Sequence, residues 1–185
     1  MEIDTGRLIL RDLREDDAND VHSLFSNKDT MRLLDSPHEN IEDTKCYLTD
    51  IMRQYHENPR RCYALAVILK ETNTFTGVVS LEVEHPYLKD ARACLDYYFL
   101  PQYWGRGYAT EASKALITFA IETLEVNKIT AGTLKCNIGS ETVMKKCGMT
   151  QEAEFKQHTQ WDCEWVNRVE YAILKCEYNA AKERI

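Results

Sequence analysis

The sequence predicts a single mixed α/β domain, and three observations carry that prediction. Strand-like apolar runs interleave with helix-period apolar stripes along the whole chain, in the order β-α-α-β-β-β-α-β-α-β-β. The middle of the chain reads as a hairpin: an apolar strand from Tyr63 to Leu69, the polar turn Lys70-Glu71-Thr72-Asn73, and a strand from Phe75 to Val83. A further strand, Ala91 to Leu100, runs into a turn with two glycines, Gly105 and Gly107, and then into an amphipathic helix. Strand, glycine turn and helix together aim unpaired backbone N–H groups at an anion.

Each element has its own signal. Thr5 to Leu13 reads as the first strand, with Leu8 and Leu10 alternating with Arg7, Ile9 and Arg11. Asp16 and Asp17 are N-cap candidates for a helix whose face carries Ala18, Val21, Leu24 and Phe25. Ser36-Pro37 breaks the chain, Asn40 caps a second helix with Leu48, Ile51, Met52 and Tyr55 on one face, and Asn58-Pro59 closes it. Gly77 marks a bulge in its strand, and His85-Pro86 ends that strand. After the glycine turn, Ala112, Ala115, Leu116, Phe119, Ala120 and Leu124 form a helical stripe. Ile129 to Cys136 is the fifth strand. Ser140 is the N-cap candidate of the next helix and Gly148 its C-cap. Two strands, Glu154 to Gln160 and Arg168 to Leu174, complete the chain, with Trp161-Asp162-Cys163-Glu164-Trp165 at their connection.

Composition bounds the function. The 185 residues are 44% hydrophobic, enough for one domain spanning 1–185 with a substantial core. There is no apolar run of membrane-spanning length and no basic-then-apolar leader, so a cytoplasmic protein with no membrane partner is expected. The seven cysteines are scattered, with no Cys-x-x-Cys pair, which gives no support for a metal site. A net charge of −7 argues against nucleic acid and favours cationic partners.

The glycine turn admits more than one reading. A P-loop would need Gly-x-x-x-x-Gly-Lys-Ser/Thr, which is absent. A dinucleotide fingerprint would need a third glycine where Thr110 stands, after the first strand rather than the fourth. The glycines can also serve only to make a tight turn. As a pyrophosphate cradle the stretch makes sense: Gly105 and Gly107 leave room for phosphate oxygens, the N–H groups up to Thr110 are orphaned at the helix start, and Arg106 adds a charge or is simply solvated.

Gln102, Gly105 and Gly107 match Gln/Arg-x-x-Gly-x-Gly/Ala, and the longer string from Pro101 to Ala112 and the downstream set Asn137, Ser140, Val143, Lys146, Gly148, Met149 extend the match. In these motifs the chain resembles the GNAT superfamily of N-acetyltransferases, in particular the RimJ/RimL-like branch. The resemblance implies the GNAT fold, a central, mostly antiparallel sheet splayed between the fourth and fifth strands and flanked by helices on both faces. It implies acetyl-CoA as acyl donor. The backbone of Tyr97, Tyr98 and Phe99 would hold the pantetheine arm, Gln102, Gly105, Arg106, Gly107, Tyr108, Ala109 and Thr110 the pyrophosphate, and Asn137 and Ser140 the thioester end. Read from its residues alone, Asn137 is equally a turn residue bonded to its own backbone.

The reaction implied is direct transfer of acetyl from the thioester to a primary amine, which needs a proton acceptor for the arriving ammonium and a donor for the leaving thiolate. A backbone N–H of the fourth strand would hold the oxyanion. Where many members place a tyrosine acid, this chain has Met144. Ser140 is the candidate acid and also fits a helix cap. Cys94 and Asp96 stand where relatives often carry Glu and Gly, so the candidate bases are Glu82, Glu84 and Asp96, with His158 as an outsider. Cys94, Cys136 and Cys147 lie near the motifs, as nucleophiles or as ordinary small apolar residues.

The acceptor is implied by the branch as a protein or peptide N-terminal amine of the ribosomal-protein type. The alternatives are a small amine, polyamine or antibiotic, or an acetyl-CoA-binding sensor without activity. The two helices after the first strand are expected to form one wall of the acceptor cleft, with Asp16, Asp17, Glu39, Glu42 and Asp43 facing a cation or serving as caps. The loop near Trp161 and Trp165 would form the other wall, and a homodimer is compatible with the fold.

Overall fold

The computed structural model describes residues 1–33, 37–88 and 90–183. Eight strands form one sheet: β1 Glu2–Asp4, β2 Leu8–Asp12, β3 Cys62–Leu69, β4 Thr74–Glu84, β5 Arg92–Phe99, β6 Lys128–Leu134, β7 Thr150–Trp161 and β8 Glu164–Leu174. The helices are α1 Ala18–Phe25, α2 Lys28–Met31, α3 Ile41–Gln54, α4 Tyr108–Glu122, α5 Ile138–Lys146 and α6 Lys175–Lys182. Strand order is β1-β2-β3-β4-β5-β6-β8-β7. Every pairing is antiparallel except β5 with β6, which is parallel.

That parallel pairing is short. It covers Arg92 with Lys128, Ala93 with Ile129 and Cys94 with Thr130, and then stops, although β5 continues to Phe99 and β6 to Leu134. The sheet therefore opens beyond Cys94, at the joint where the sequence places the splay. The strand expected as fourth is β5, because β1 lies before the expected first strand, Thr5 to Leu13, and pairs with β2 as a hairpin. Gly6 lies in their turn, and the Thr5 N–H bonds the Leu8 carbonyl at 2.9 Å.

β3 is apolar throughout because both of its faces are covered. Leu65 and Val67 join Leu8, Leu10, Leu81 and Leu95 against Leu116 and Ile117 of α4. Ala64, Ala66 and Ile68 pack on the other face against Val21 and Leu24 of α1 and Leu48 of α3. The bulge falls at Thr76, beside the glycine expected to mark it: Val67 pairs with Gly77 and Ile68 with Phe75, and the extra Thr76 hydroxyl bonds the Val67 carbonyl at 2.9 Å.

Several caps differ from expectation. Asp17 does not cap α1 with its side chain. It lies 5% exposed and turns back to β2, taking both guanidinium nitrogens of Arg11 at 2.7 Å and the Arg14 N–H at 2.7 Å. A cation on the adjacent strand outcompetes a helix end for this carboxylate. Asn137, not Ser140, caps α5, accepting from the Ser140 N–H at 3.1 Å. Asn40 caps α3 as expected, with Asp43 completing a capping box. Gly148 sits at φ 81° just past α5, and the Met149 N–H reaches back to the Met144 carbonyl at 3.1 Å.

The expected break at Ser36-Pro37 falls partly outside the described residues, because Ser36 is not among them. α6 has no counterpart in the sequence reading. Its outward faces are polar, and what docks it is Tyr178, whose hydroxyl meets Thr118 at 3.0 Å and Glu122 at 2.7 Å on α4. The Trp161–Trp165 connection tightens to a two-residue turn, Asp162-Cys163, with φ of 52° and 65°. No helix among the described residues is long and apolar enough to cross a membrane.

Candidate active site

The turn between β5 and α4 is built for an anion. Gly105 and Gly107 have φ of 72° and 80°, a region that favours glycine. The N–H groups of residues 105 to 110 have no hydrogen-bond partner among the described residues, and the first paired amide of α4 is Glu111, to the Gly107 carbonyl at 3.0 Å. Six unpaired donors thus stand in succession at a helix N-terminus, where an anion is favoured. Gln102 and Arg106 are exposed on the turn. The Tyr108 ring is buried in the core, so only its backbone is available to a ligand.

A latch from the N-terminal hairpin holds this turn, a feature absent from the sequence reading. The Glu111 carboxylate takes the Arg7 N–H at 2.7 Å, Arg7 Nε at 2.7 Å and the Thr5 hydroxyl at 2.8 Å. Burial pushes Glu111 toward its neutral form, but these donors outweigh it and hold the carboxyl low. Arg7 also donates to the Arg106 carbonyl at 3.0 Å and lies 4.7 Å from the Tyr108 ring centre. One guanidinium therefore fixes the peptide that precedes Gly107. For the acyl-CoA donor that the sequence motifs imply, Arg7→Ala is expected to raise KM about 3- to 10-fold, the ~0.5–1.5 kcal/mol of one hydrogen bond, with kcat at saturating donor unchanged. Steady-state kinetics checks it.

The open edge of β5 is the second component. The Tyr98 carbonyl is turned to β4, 2.1 Å from where a Cβ on Gly77 would stand, so the Tyr98 main chain belongs to the β4 ladder. By strand alternation, the main-chain groups of Tyr97 and Phe99 face the open side. The Phe99 carbonyl is already taken by Trp104 Nε1 at 2.7 Å and by the Thr30 hydroxyl at 3.3 Å. Of the three residues expected to hold a pantetheine arm by their backbone, Tyr97 is thus the least committed, and Tyr98 contributes its ring instead.

Across the opening, the Tyr97 hydroxyl meets Ser140 Oγ at 2.7 Å and the Ser140 carbonyl at 3.0 Å. Burial pushes the Tyr97 phenol up, against the effect of this hydrogen bond. Ser140 and Asn137 therefore stand at the splay. Asn137 Oδ1 is spent on the α5 cap, and its Nδ2 has no partner among the described residues.

Tyr98 and Asp96 face the other side of the sheet, into a cavity of about 390 Å³. Phe25, Met31, Tyr47 and Ile51 of α1 to α3 form one wall, and Cys62, Ser80 and Glu82 continue the floor. Asp96 is the inner carboxylate. Burial raises it above the ordinary carboxylate range, the Glu82 charge adds to this, and Arg168 partly offsets it. Glu82 stands at the edge, paired with Arg61 at 3.1 Å. Glu84 is paired with Arg92 at 2.8 Å on the surface and does not line the cavity, so two of the three carboxylate candidates meet here.

The other candidates for this region lie outside the cavity, and the acids take the cap reading or pair on the surface. Asp43 and Asn40 are caps, Glu42 pairs with Lys45 at 2.7 Å, and none of the helix acids lines the cavity. Trp161, Trp165 and His158 lie on the β7–β8 hairpin and do not line it either. Burial pushes the thiols of Cys94 and Cys147 up to about 11, which disfavours the thiolate a nucleophile needs. His38 and Tyr47 line the cavity without having been singled out.

Residues 7–150 match the family model described as Acetyltransferase (GNAT) domain. The chain is 28% identical over 179 residues to the uncharacterized N-acetyltransferase YnaD of Bacillus subtilis (strain 168), covering 97% of this chain and 100% of that one. The fold is similar to that of RimL, a ribosomal L7/L12 alpha-N-protein acetyltransferase in complex with coenzyme A (TM-score 0.81, 20% identity, 94% of this chain and 98% of that one). It is also similar to spermidine N-acetyltransferase from Vibrio cholerae in complex with CoA and spermine (TM-score 0.80, 19% identity, 94% and 99%).

Proposed function

The chain belongs to the GNAT family of N-acetyltransferases, and on that premise we propose that its acceptor is the amino terminus of a protein or peptide, seated in the cavity beside β5. The observation that carries this is Asp96: a half-buried carboxylate, one residue from the open strand edge, in a cavity it shares with Phe25, Tyr47 and Tyr98. Such a pocket suits one primary ammonium next to an apolar or aromatic side chain. A chain of several amines would need carboxylates spaced along it, and this cavity offers Asp96 and Glu82 close together on adjacent strands.

The residues present fit acetyl-CoA as donor. The six unpaired N–H groups of residues 105 to 110 would hold its pyrophosphate, with Arg106 beside them, and the Tyr97 edge its pantetheine arm. Acetyl-CoA supplies the activated acetyl thioester. Asp96 receives the ammonium and orients its nitrogen. Asn137 Nδ2 and the Ser140 hydroxyl stand at the splay where the thiolate departs, and Ser140 there has a proton to give, renewed through its contact with Tyr97.

The test is thiol release from acetyl-CoA with alanyl-phenylalanine amide, 2-phenylethylamine and spermidine. Turnover with the first is expected, and Asp96→Asn is expected to raise its KM about 10- to 100-fold, the ~1.5–3 kcal/mol of a hydrogen bond to a charge. Turnover of spermidine alone would overturn the peptide reading in favour of a polyamine.

A further inference from the structure

Thr44 is fully buried on α3, and its hydroxyl sits between two imidazoles, 2.9 Å from His22 Nδ1 and 2.9 Å from His38 Nδ1. It has no other hydrogen-bond partner among the described residues. A hydroxyl carries one proton, and buried donors are rarely left unpaired. One ring therefore accepts that proton at Nδ1, and the other donates its own Nδ1 proton to the hydroxyl oxygen. The two rings cannot both be doubly protonated without orphaning the threonine proton. Thr44 thus couples their tautomers: one ring is the Nδ1–H form, the other the Nε2–H form.

His38 is the member of this chain that lines the cavity. Its backbone N–H bonds the Phe25 carbonyl at 3.0 Å, and its ring packs against Phe25 and Tyr47 at centroid distances of 5.1 and 5.7 Å. With Nδ1 tied to Thr44, Nε2 is the ring atom left for chemistry. We propose that His38 Nε2 takes the proton of the incoming ammonium, and that Thr44 and His22 are positioning residues that fix the His38 ring in its Nδ1–H tautomer. The assignment rests on the cavity being the acceptor site. The ammonium N–H bond breaks, an N–H bond forms at His38 Nε2, and nitrogen keeps the electron pair with which it attacks the thioester carbon. The imidazolium so formed shares the cavity with Asp96 and Glu82 and returns its proton to water.

Burial is the main influence keeping His38 neutral and ready to accept, with His22 adding to it and Asp43 opposing it. His22 on α1 and Asp43 and Tyr47 on α3 act on the ring, and the other titratable groups of the same cavity are Cys62 on β3, Glu82 on β4, and Asp96 and Tyr98 on β5. His38 is thus lowered below the ordinary histidine value, so it is a competent acceptor above the pH at which it loses its own proton and is blocked below it.

Ring 15N NMR of the full chain, which has five histidines, tests the assignment without any acceptor. At neutral pH His38 is expected as Nδ1–H and His22 as Nε2–H, with that opposition lost in Thr44→Val. An Nε2–H His38 overturns the proposal. In kinetics with alanyl-phenylalanine amide, His38→Gln is expected to lower kcat about 100-fold, to remove the acid limb of kcat/KM against pH, and to recover part of its rate with added imidazole. Thr44→Ser is expected to stay near wild type. A retained acid limb in His38→Gln, or no recovery with imidazole, overturns it as well. If the cavity is not the acceptor site, Asp96→Asn and His38→Gln both leave acceptor kinetics unchanged. If only the His38 assignment fails, Asp96→Asn alone changes them.

Discussion

Gly77→Ala is expected to cost the protein both its stability and its activity. The added methyl would lie 2.1 Å from the Tyr98 carbonyl oxygen, 2.9 Å from Phe99 Cα and 3.0 Å from Phe99 Cγ. Two of these obstacles are backbone atoms of a strand flanked by core on both faces, so nothing can rotate out of the way, and β4 and β5 must move apart. Overpacking of a buried site typically costs ~1–3 kcal/mol, which for a chain of this size is a fall in Tm of roughly 3–10 °C. The displaced atoms belong to the strand whose free edge is read as the donor's docking rail. The surviving folded protein is therefore expected to show a raised KM for acetyl-CoA and a reduced kcat. Thermal unfolding and steady-state kinetics check both halves. A Tm within about 1 °C of wild type would show that the strands tolerate the methyl.

Asp17→Ala is expected to destabilise more than any change to a surface ion pair, by ~3–5 kcal/mol, the cost of leaving a buried charge without its partner. The Arg11 side chain is only 17% exposed, and its guanidinium makes two hydrogen bonds to this carboxylate and a longer one to the Asp12 carbonyl. Exposed pairs such as Lys45 with Glu42 are expected to contribute less than ~1 kcal/mol. The pair also has a pH signature. Burial alone would raise the Asp17 pKa, but the Arg11 hydrogen bonds and the Arg14 N–H outweigh it and hold it low. A depressed carboxyl contributes its stability above the unfolded pKa, about 3.9, and loses it as pH falls through the folded value. Wild type should therefore lose stability below about pH 4 more steeply than Asp17→Ala. Denaturant midpoints measured from pH 7 down to pH 3 read both the offset and the slope. Parallel curves would show that the carboxylate is not linked to folding.

The sequence made the backbone legible where local chemistry dictates it. Two glycines a residue apart at a helix start, Asn40 with Asp43 three residues on, and Gly148 after Met144 each announce a turn or cap that holds whatever the tertiary context. Side-chain allegiances were less legible, because competition at a distance decides them. Asp17 reads as a helix cap until β2 brings Arg11 within reach. Ser140 reads as a cap until Asn137 takes that task and Tyr97 claims the hydroxyl. Glu111 was visible only as part of a motif, and its partner Arg7 lies more than a hundred residues away. The cavity was the hardest to foresee. Phe25, His38, Tyr47 and Tyr98 come from four segments, and no spacing among them marks a site. One signal was available: the α3 cap fixes the helix phase, and that phase puts Thr44, Leu48 and Ile51 on the inner face, which leaves a polar Thr44 to be explained.

The short parallel pairing between β5 and β6 has a bearing on how the chain assembles. Strands β1 to β5 are laid down in sequence order, each antiparallel to the last, and are complete by residue 99. Strands β6, β8 and β7 form a second block from residues 128 to 174. Among the described residues, three residue pairs join the two blocks through the sheet. The free edge of β5 and the whole lining of the cavity belong to the first block, whereas Asn137 and Ser140, which meet that edge, come from the second. A chain ordered only through β5 would therefore carry the docking surfaces without the groups that face them across the opening. Activity is expected to appear only once the second block has docked against the first.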